Sequence, residues 1–258
     1  MACIGVFDSG SGGLSVMKEI LRILPGERYI YYADNANCPY GEKSAEFIRG
    51  RSMAISEELL HLGAQAIVVA CNTATGAAIK ELREKWPEIP FIGMEPAVKP
   101  AVKESRTGTI GILATKSTLG AEKYRLTRDR FALGVKVYEH PGDGFVELVE
   151  NGRLDGPQVE DTVRRSLFPL LESGADTIVL GCTHYPFLLP VLQRLAGENV
   201  KFIDPAPAVA RRLSQVLKEK GIALENRPRA DIQIKSSGPD DSARRILAVV
   251  KSSLDDVG

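Results

Sequence analysis

The chain has little of what marks several common protein classes. Over 258 residues it carries three histidines and four cysteines. None of the cysteines stands in C-x-x-C spacing, and three histidines do not complete an evident zinc site with them, so no metal site is expected. In a reducing compartment the set gives no disulfide framework, and free thiols are the default. Net charge is missing too, since 33 Lys and Arg balance 33 Asp and Glu and the basic residues are dispersed. No bulk field favours nucleic acid or an anionic membrane. No apolar run approaches the roughly 18 residues of a membrane-spanning helix. Met1-Ala2-Cys3-Ile4-Gly5 enters a strand pattern without a basic stretch or a long apolar segment. No signal peptide is expected, and a cytoplasmic location follows. Gly10-Ser11-Gly12-Gly13 is no P-loop, because no Gly-Lys-Ser/Thr follows, and Ser15 stands where G-x-G-x-x-G would place its third glycine.

What is present is alternation. Short apolar runs near residues 3–7, 28–32, 66–70, 90–93, 109–114, 135–138, 177–181 and 200–203 alternate with helical patterns. That is the pattern of an α/β fold with parallel sheets. The order of elements repeats weakly at about 110 residues. Two similar parallel-sheet α/β domains related by pseudo-symmetry are expected, with the active site in the cleft between them. Glu95-Pro96 and Asp204-Pro205-Ala206-Pro207 read as the crossings. The second domain is then 96–207. A tail with one strand at Ile232-Gln233-Ile234 has no counterpart after residue 95. It is expected to extend the first sheet, making the first domain discontinuous, 1–95 plus 208–258.

The clearest part of the repeat is a pair of cysteine strands. Gly63-Ala64-Gln65-Ala66-Ile67-Val68-Val69-Ala70-Cys71 lies over Gly174-Ala175-Asp176-Thr177-Ile178-Val179-Leu180-Gly181-Cys182, matching at glycine, alanine, isoleucine, valine and cysteine. Each run is read as a buried strand delivering a thiol to its C-terminal end, where open α/β sheets bind ligands. Polar residues gather at those ends: Asp8-Ser9, Asn72-Thr73, Thr115 and Thr183-His184. Cys3 lies within a strand and Cys38 precedes Pro39 in a loop, so both are read as inert. His61 and His140 have no polar cluster around them and are read as satisfied structural histidines.

A helix is expected immediately after Cys71 and after Cys182, and a helix N-terminus favours a thiolate. Asp8 is a candidate proton acceptor or orienting carboxylate for one thiol, with a turn-forming role as the alternative, and His184 is its counterpart for the other. The backbone N–H groups of the glycine turn at a helix start suit a carboxylate, so the implied ligand is small and carries one or two of them. A thiol hydrolase needs one thiol, a base and an oxyanion hole, and a redox pair needs sulfurs near bonding distance. Two thiols on opposite walls suit removal of a proton from one face of a carbon and delivery to the other, which inverts a stereocentre.

Gly5-Val6-Phe7-Asp8-Ser9-Gly10-Ser11-Gly12-Gly13-Leu14-Ser15, Cys38-Pro39-Tyr40-Gly41, Cys71-Asn72-Thr73-Ala74 and Gly181-Cys182-Thr183-His184-Tyr185-Pro186 together resemble the glutamate racemases of the aspartate/glutamate racemase family. The Asp8-Ser9 opening favours glutamate over aspartate. The resemblance implies cofactor-independent 1,1-proton transfer between L- and D-glutamate, the latter a precursor of bacterial peptidoglycan. It implies that Cys71, assisted by Asp8, acts on the D-enantiomer, and that Cys182, assisted by His184, acts on the L-enantiomer. A glutamate also assists Cys182, with Glu150 as the best match and Glu147 as its competitor. Substrate contacts carry over to Asp8, Ser9, Tyr40, Gly41, Asn72, Thr73, Thr183 and His184. Family members commonly form homodimers. The alternatives are an aspartate racemase, another thiol-dependent isomerase or decarboxylase, or a binding protein with an idle site.

Overall fold

The structure is a computed structural model that describes residues 2–222, 224, 230–238 and 242–255; the side chains at 249 and 252–255 lie outside that description, as do Met1 and 256–258 at the ends of the expected first domain. Strand β1 (Cys3–Asp8) leads to α1 (Leu14–Ile23), β2 (Arg28–Ala33), α2 (Ala45–His61), β3 (Ala66–Val69), α3 (Asn72–Lys85) and β4 (Phe91–Gly93). The run then repeats through α4 (Val98–Glu104), β5 (Thr109–Ala114), α5 (Lys116–Gly120), α6 (Glu122–Phe131), β6 (Lys136–Pro141), α7 (Phe145–Glu150), α8 (Pro157–Glu172), β7 (Thr177–Gly181), α9 (Leu189–Ala196) and β8 (Lys201–Ile203). The tail adds α10 (Ala206–Glu219), β9 (Asp231–Ser236) and α11 (Ser242–Asp255).

Two compact units emerge, one from Met1–Met94 with Ala206–Gly258, the other Glu95–Pro205. The first sheet runs β4-β3-β1-β2-β9 and the second β6-β5-β7-β8. Every described strand pair is parallel. Taken in turn, β6-β5-β7-β8 occupies the same order as β2-β1-β3-β4. Among the described residues, the tail strand β9 is the one addition to the first sheet, pairing with β2. The central strands β1, β3, β5 and β7 are buried along their whole length, as continuous apolar runs in parallel sheets should be.

The units divide slightly before the expected crossings at 95/96 and 207/208. Glu95 goes with the second unit, where its carboxylate takes a 2.7 Å bond from Lys123. Helix α10 begins at Ala206 and packs against α1, which carries Pro207 into the first unit.

Both cysteine strands are reached through the same device. Helix α2 ends with Gly63 at φ 91°, its N–H bonding Leu60 O while Ala64 N–H bonds Leu59 O. After α8, Gly174 at φ 83° bonds Leu171 O and Ala175 bonds Leu170 O. This is the Schellman closure, and its positive φ suits glycine because a Cβ there would be strained. The repeat seen in sequence is thus a repeated helix–turn–strand hinge that sets the start of each cysteine strand.

Candidate active site

In the first unit, β1 and β3 lie side by side with Phe7 opposite Val69. Asp8 therefore stands level with Ala70, one residue before Cys71. Cys71 is the N-cap of α3, and its Sγ accepts the N–H of Ala74 at 3.4 Å. The thiol replaces the oxygen that usually satisfies a free N–H at a helix start, where the helix dipole favours negative charge. Ser9 Oγ accepts from Cys71 Sγ at the long distance of 4.0 Å. Asp8 is fully buried, and its Oδ2 accepts the N–H groups of Gly10 at 3.3 Å and Gly13 at 3.0 Å. Two donors of the glycine turn are thus spent on Asp8, which modifies the expectation that they face a ligand carboxylate. The turn is close-packed: a Cβ on Gly13 would meet Asp8 Cβ at 2.7 Å and Tyr31 Oη at 2.8 Å.

The loop after β2 carries Tyr40, which is 1% exposed. Its hydroxyl donates to Asp34 Oδ2 at 2.5 Å, and Arg51 grips the same carboxylate through Nε at 2.9 Å and Nη2 at 2.7 Å. Burial acts to raise the Asp34 carboxyl, but the bonds from Arg51 and Tyr40 outweigh it and hold it below the usual carboxylate range. Burial first, then the bond to Asp34, pushes the Tyr40 phenol far above its ordinary value. It remains a donor. The tail secures this loop as well: Asn35 Nδ2 donates to Ser242 Oγ at 2.9 Å and Ala36 N–H to Ser237 Oγ at 3.1 Å. Gly41 lies in a short 3-10 turn, Tyr40–Glu42, and is half-buried. Asn72 and Thr73 form the first turn of α3 and are buried, and Asn72 Oδ1 has no hydrogen-bond partner among the described residues.

In the second unit Cys182 follows β7. The expected helix does not start there: a 3-10 turn, Tyr185–Leu188, with Pro186 in its first positions, precedes α9. Cys182 therefore has no helix cap. It has His184 instead, whose Nδ1 lies 3.8 Å from Cys182 Sγ and whose Nε2 lies 2.6 Å from Glu150 Oε1. Glu150 is the last residue of α7, while Glu147, one turn earlier, is exposed. His184 is 1% exposed and Thr183 is 3% exposed. Thr115, expected in the place of Asp8, caps α5 by accepting the N–H of Thr118 at 3.1 Å. His140 sits at the end of β6 with Nδ1 2.8 Å from Pro141 O, and His61 lies in the last turn of α2.

A family model described as Asp/Glu/Hydantoin racemase matches residues 4–213. The chain belongs to that racemase family. A glutamate racemase from Pseudomonas aeruginosa (strain PAO1) is 48% identical over 257 residues, all of this chain and 97% of the relative. Two solved glutamate racemases share the fold of this family member. The Escherichia coli structure, in complex with L-glutamate and the activator UDP-MurNAc-ala, has a TM-score of 0.86 at 34% identity, covering 96% of this chain and 95% of that one. The Francisella tularensis structure, in complex with D-glutamate, has a TM-score of 0.85 at 29% identity, covering 96% and 93%.

For this racemase-family chain, sequence reasoning did not single out the Asp34–Arg51 pair or the bond from the Tyr185 hydroxyl to Gly142 O at 3.3 Å. The signal for Asp34 was its place directly after β2, as Asp8 ends the neighbouring β1. Nothing local marked Arg51, which reaches Asp34 from the next helix. No described helix is long and apolar enough to cross a membrane.

Proposed function

We propose that this chain interconverts L- and D-glutamate by two-base 1,1-proton transfer without a cofactor, supplying D-glutamate for peptidoglycan synthesis in the cytoplasm. The reading rests on one observation above others. Cys71 and Cys182 follow equivalent strands of equivalent sheets, Cys71 capping α3 with its thiol and Cys182 lying 3.8 Å from the His184 ring whose far nitrogen meets Glu150. The glutamate complexes of the Escherichia coli and Francisella relatives support the substrate.

In this mechanism one thiolate takes the α-proton, the Cα–H electron pair stays on carbon, and the other thiol gives its proton to the opposite face. Cys182 with His184 and Glu150 deprotonates the L-enantiomer, and Cys71 with Asp8 the D-enantiomer. His184 exchanges a proton with Cys182, and Glu150 holds the imidazole by its far nitrogen, as a carboxylate does for other catalytic histidines. A thiolate is a weak base for an amino-acid α-proton, so donors and exclusion of water must stabilise the carbanionic transition state. Ser9, Asn72, Thr73 and Thr183 supply short polar groups to the substrate. The buried, unpartnered Asn72 Oδ1 fits such a contact. Tyr40 and Gly41 belong to the same contact set, with the Tyr40 hydroxyl positioned by Asp34. A homodimer is part of the proposal, and sedimentation at assay concentration tests it.

The functional test is incubation of purified protein with L-glutamate and no added cofactor, followed by chiral chromatography. The expected end point is equal amounts of both enantiomers. Absence of D-glutamate, or turnover of aspartate alone, would overturn the reading.

A further inference from the structure

The turn that carries Cys182 and His184 is joined to the start of α7 through Tyr185. Tyr185 follows His184 directly. Its backbone N–H bonds Cys182 O at 3.1 Å, which closes the turn carrying Cys182, Thr183 and His184. Its ring is 1% exposed and packs edge-on against Phe145 with centroids 4.9 Å apart. Its hydroxyl donates to Gly142 O at 3.3 Å. Gly142 and Phe145 belong to the segment that starts α7, and the last residue of α7 is Glu150. The fit at Gly142 is flush: a Cβ there would lie 2.5 Å from Tyr185 Oη and 2.6 Å from Cζ. The contacts therefore close a ring. Cys182 reaches His184, His184 reaches Glu150, α7 leads back to Phe145 and Gly142, and Tyr185 returns to Cys182.

We propose that Tyr185 is a positioning residue for the acid–base relay of the second unit, clamping the Cys182–His184 turn to the base of the helix that delivers Glu150. The clamp acts at both ends of a short lever. Helix α7 has six residues, so a tilt at Gly142–Phe145 is carried directly to Glu150. The Glu150–His184 bond is short, and its 2.6 Å leaves little slack. Burial first, then the negative charge of Cys182, raises the Tyr185 phenol well above its ordinary value, so its hydroxyl stays a donor. The other charged groups facing it are Asp143 and Glu147. In the first unit a buried tyrosine makes a comparable contact, Tyr31 donating its hydroxyl to Gly10 O at 2.8 Å beside the turn that Asp8 folds.

The inference rests on the proposed two-thiol reading, and its test separates the two. Tyr185→Phe and His184→Asn are compared with the unaltered protein by steady-state kinetics. The same proteins are treated with iodoacetamide, and alkylation of Cys182 and Cys71 is followed separately by peptide mass spectrometry. Tyr185→Phe should lower kcat about tenfold with KM within about twofold, as loss of alignment for proton transfer would. It should also slow alkylation of Cys182 about fivefold relative to Cys71, because a displaced His184 supports less thiolate. Unchanged kcat and alkylation ratio in Tyr185→Phe, with both altered in His184→Asn, would overturn the clamp and leave the two-thiol reading standing. Unchanged values in His184→Asn would overturn the relay reading itself. Equal slowing at both cysteines in Tyr185→Phe would indicate general loosening and also overturn the clamp. Should Tyr185→Phe not fold, Gly142→Ala keeps the hydroxyl while pushing the ring aside, and it must give the same Cys182-specific change or the clamp is rejected.

Discussion

Cys71 and Cys182 end equivalent strands, β3 and β7, yet their neighbourhoods are built from different parts. Cys71 is an N-cap whose thiol takes the place of a capping oxygen, with Asp8 one strand away folding the glycine turn around itself. Cys182 has no helix behind it and is served by two side chains in series, His184 and Glu150. The scaffold repeats, down to the glycine closures at Gly63 and Gly174, while the side chains around the two thiols differ. One thiol sits at a helix start beside a turn folded on a buried carboxylate, the other beside an imidazole–carboxylate pair. In the proposed mechanism a symmetric scaffold thus carries chemistry tuned separately on each side.

The comparison breaks most visibly at the thiols. Replacing either Cys71 or Cys182 by Ser should cut racemisation by about 10³-fold or more in both directions, the upper range for removing an acid–base group. A single variant that still racemises at the original rate would show that one arm suffices.

His184→Asn should lower kcat by about 10²-fold, because the imidazole of His184 is the base that lies beside Cys182 Sγ. Site-resolved alkylation of the same variant should change at Cys182 and not at Cys71. Equal changes at both would deny that the arms are tuned separately.

The loop of the first unit offers a stability contrast. Arg51→Met should destabilise the fold by about 3 kcal/mol in urea titrations, since it leaves Asp34 buried without its cation. The pH dependence follows from the direction of the Asp34 shift. Its carboxyl is held below the unfolded value, so its stabilisation is complete above about pH 4 and is lost as pH falls through the folded value. The gap between variant and parent should therefore narrow as the solution is acidified below about pH 4. A constant gap would mean the pair is not what holds the loop.

The smallest effect is expected at Glu150→Gln, which keeps a hydrogen-bonding group near His184 but removes the charge. A fall in kcat of about tenfold with little change in KM would fit a residue acting through His184. Glu147→Gln, on an exposed position, should leave both constants unchanged. The reverse pattern would move the assisting role to Glu147.

Much of this was legible in the sequence because it is local. The cysteine strands announced themselves through continuous apolar runs and a preceding glycine, and the order of β1 to β4 repeated in β5 to β8 as alternation predicted. That the tail strand extends the first sheet followed from its lack of a counterpart; its pairing with β2 did not. What was not legible depends on contacts across the chain. Arg51 meets Asp34 across 17 residues, and Tyr185 meets Gly142 across 43, with no pattern in either segment to predict the meeting. The glycine turn differs from its sequence reading in one respect. Its N–H groups at Gly10 and Gly13 were free to serve a ligand on paper, and Asp8 claims them in the fold. The missing helix after Cys182 has a local cause: the chain enters a 3-10 turn at Tyr185-Pro186 before α9 begins.

The most direct measurement of two separate arms is solvent isotope incorporation during the first turnovers in deuterium oxide, starting from L-glutamate. Two bases on opposite faces predict that the D-glutamate formed carries deuterium at Cα while the remaining L-glutamate stays protonated. Deuterium appearing in the unconverted L-glutamate as fast as in the product, or the original proton retained in D-glutamate, would contradict it.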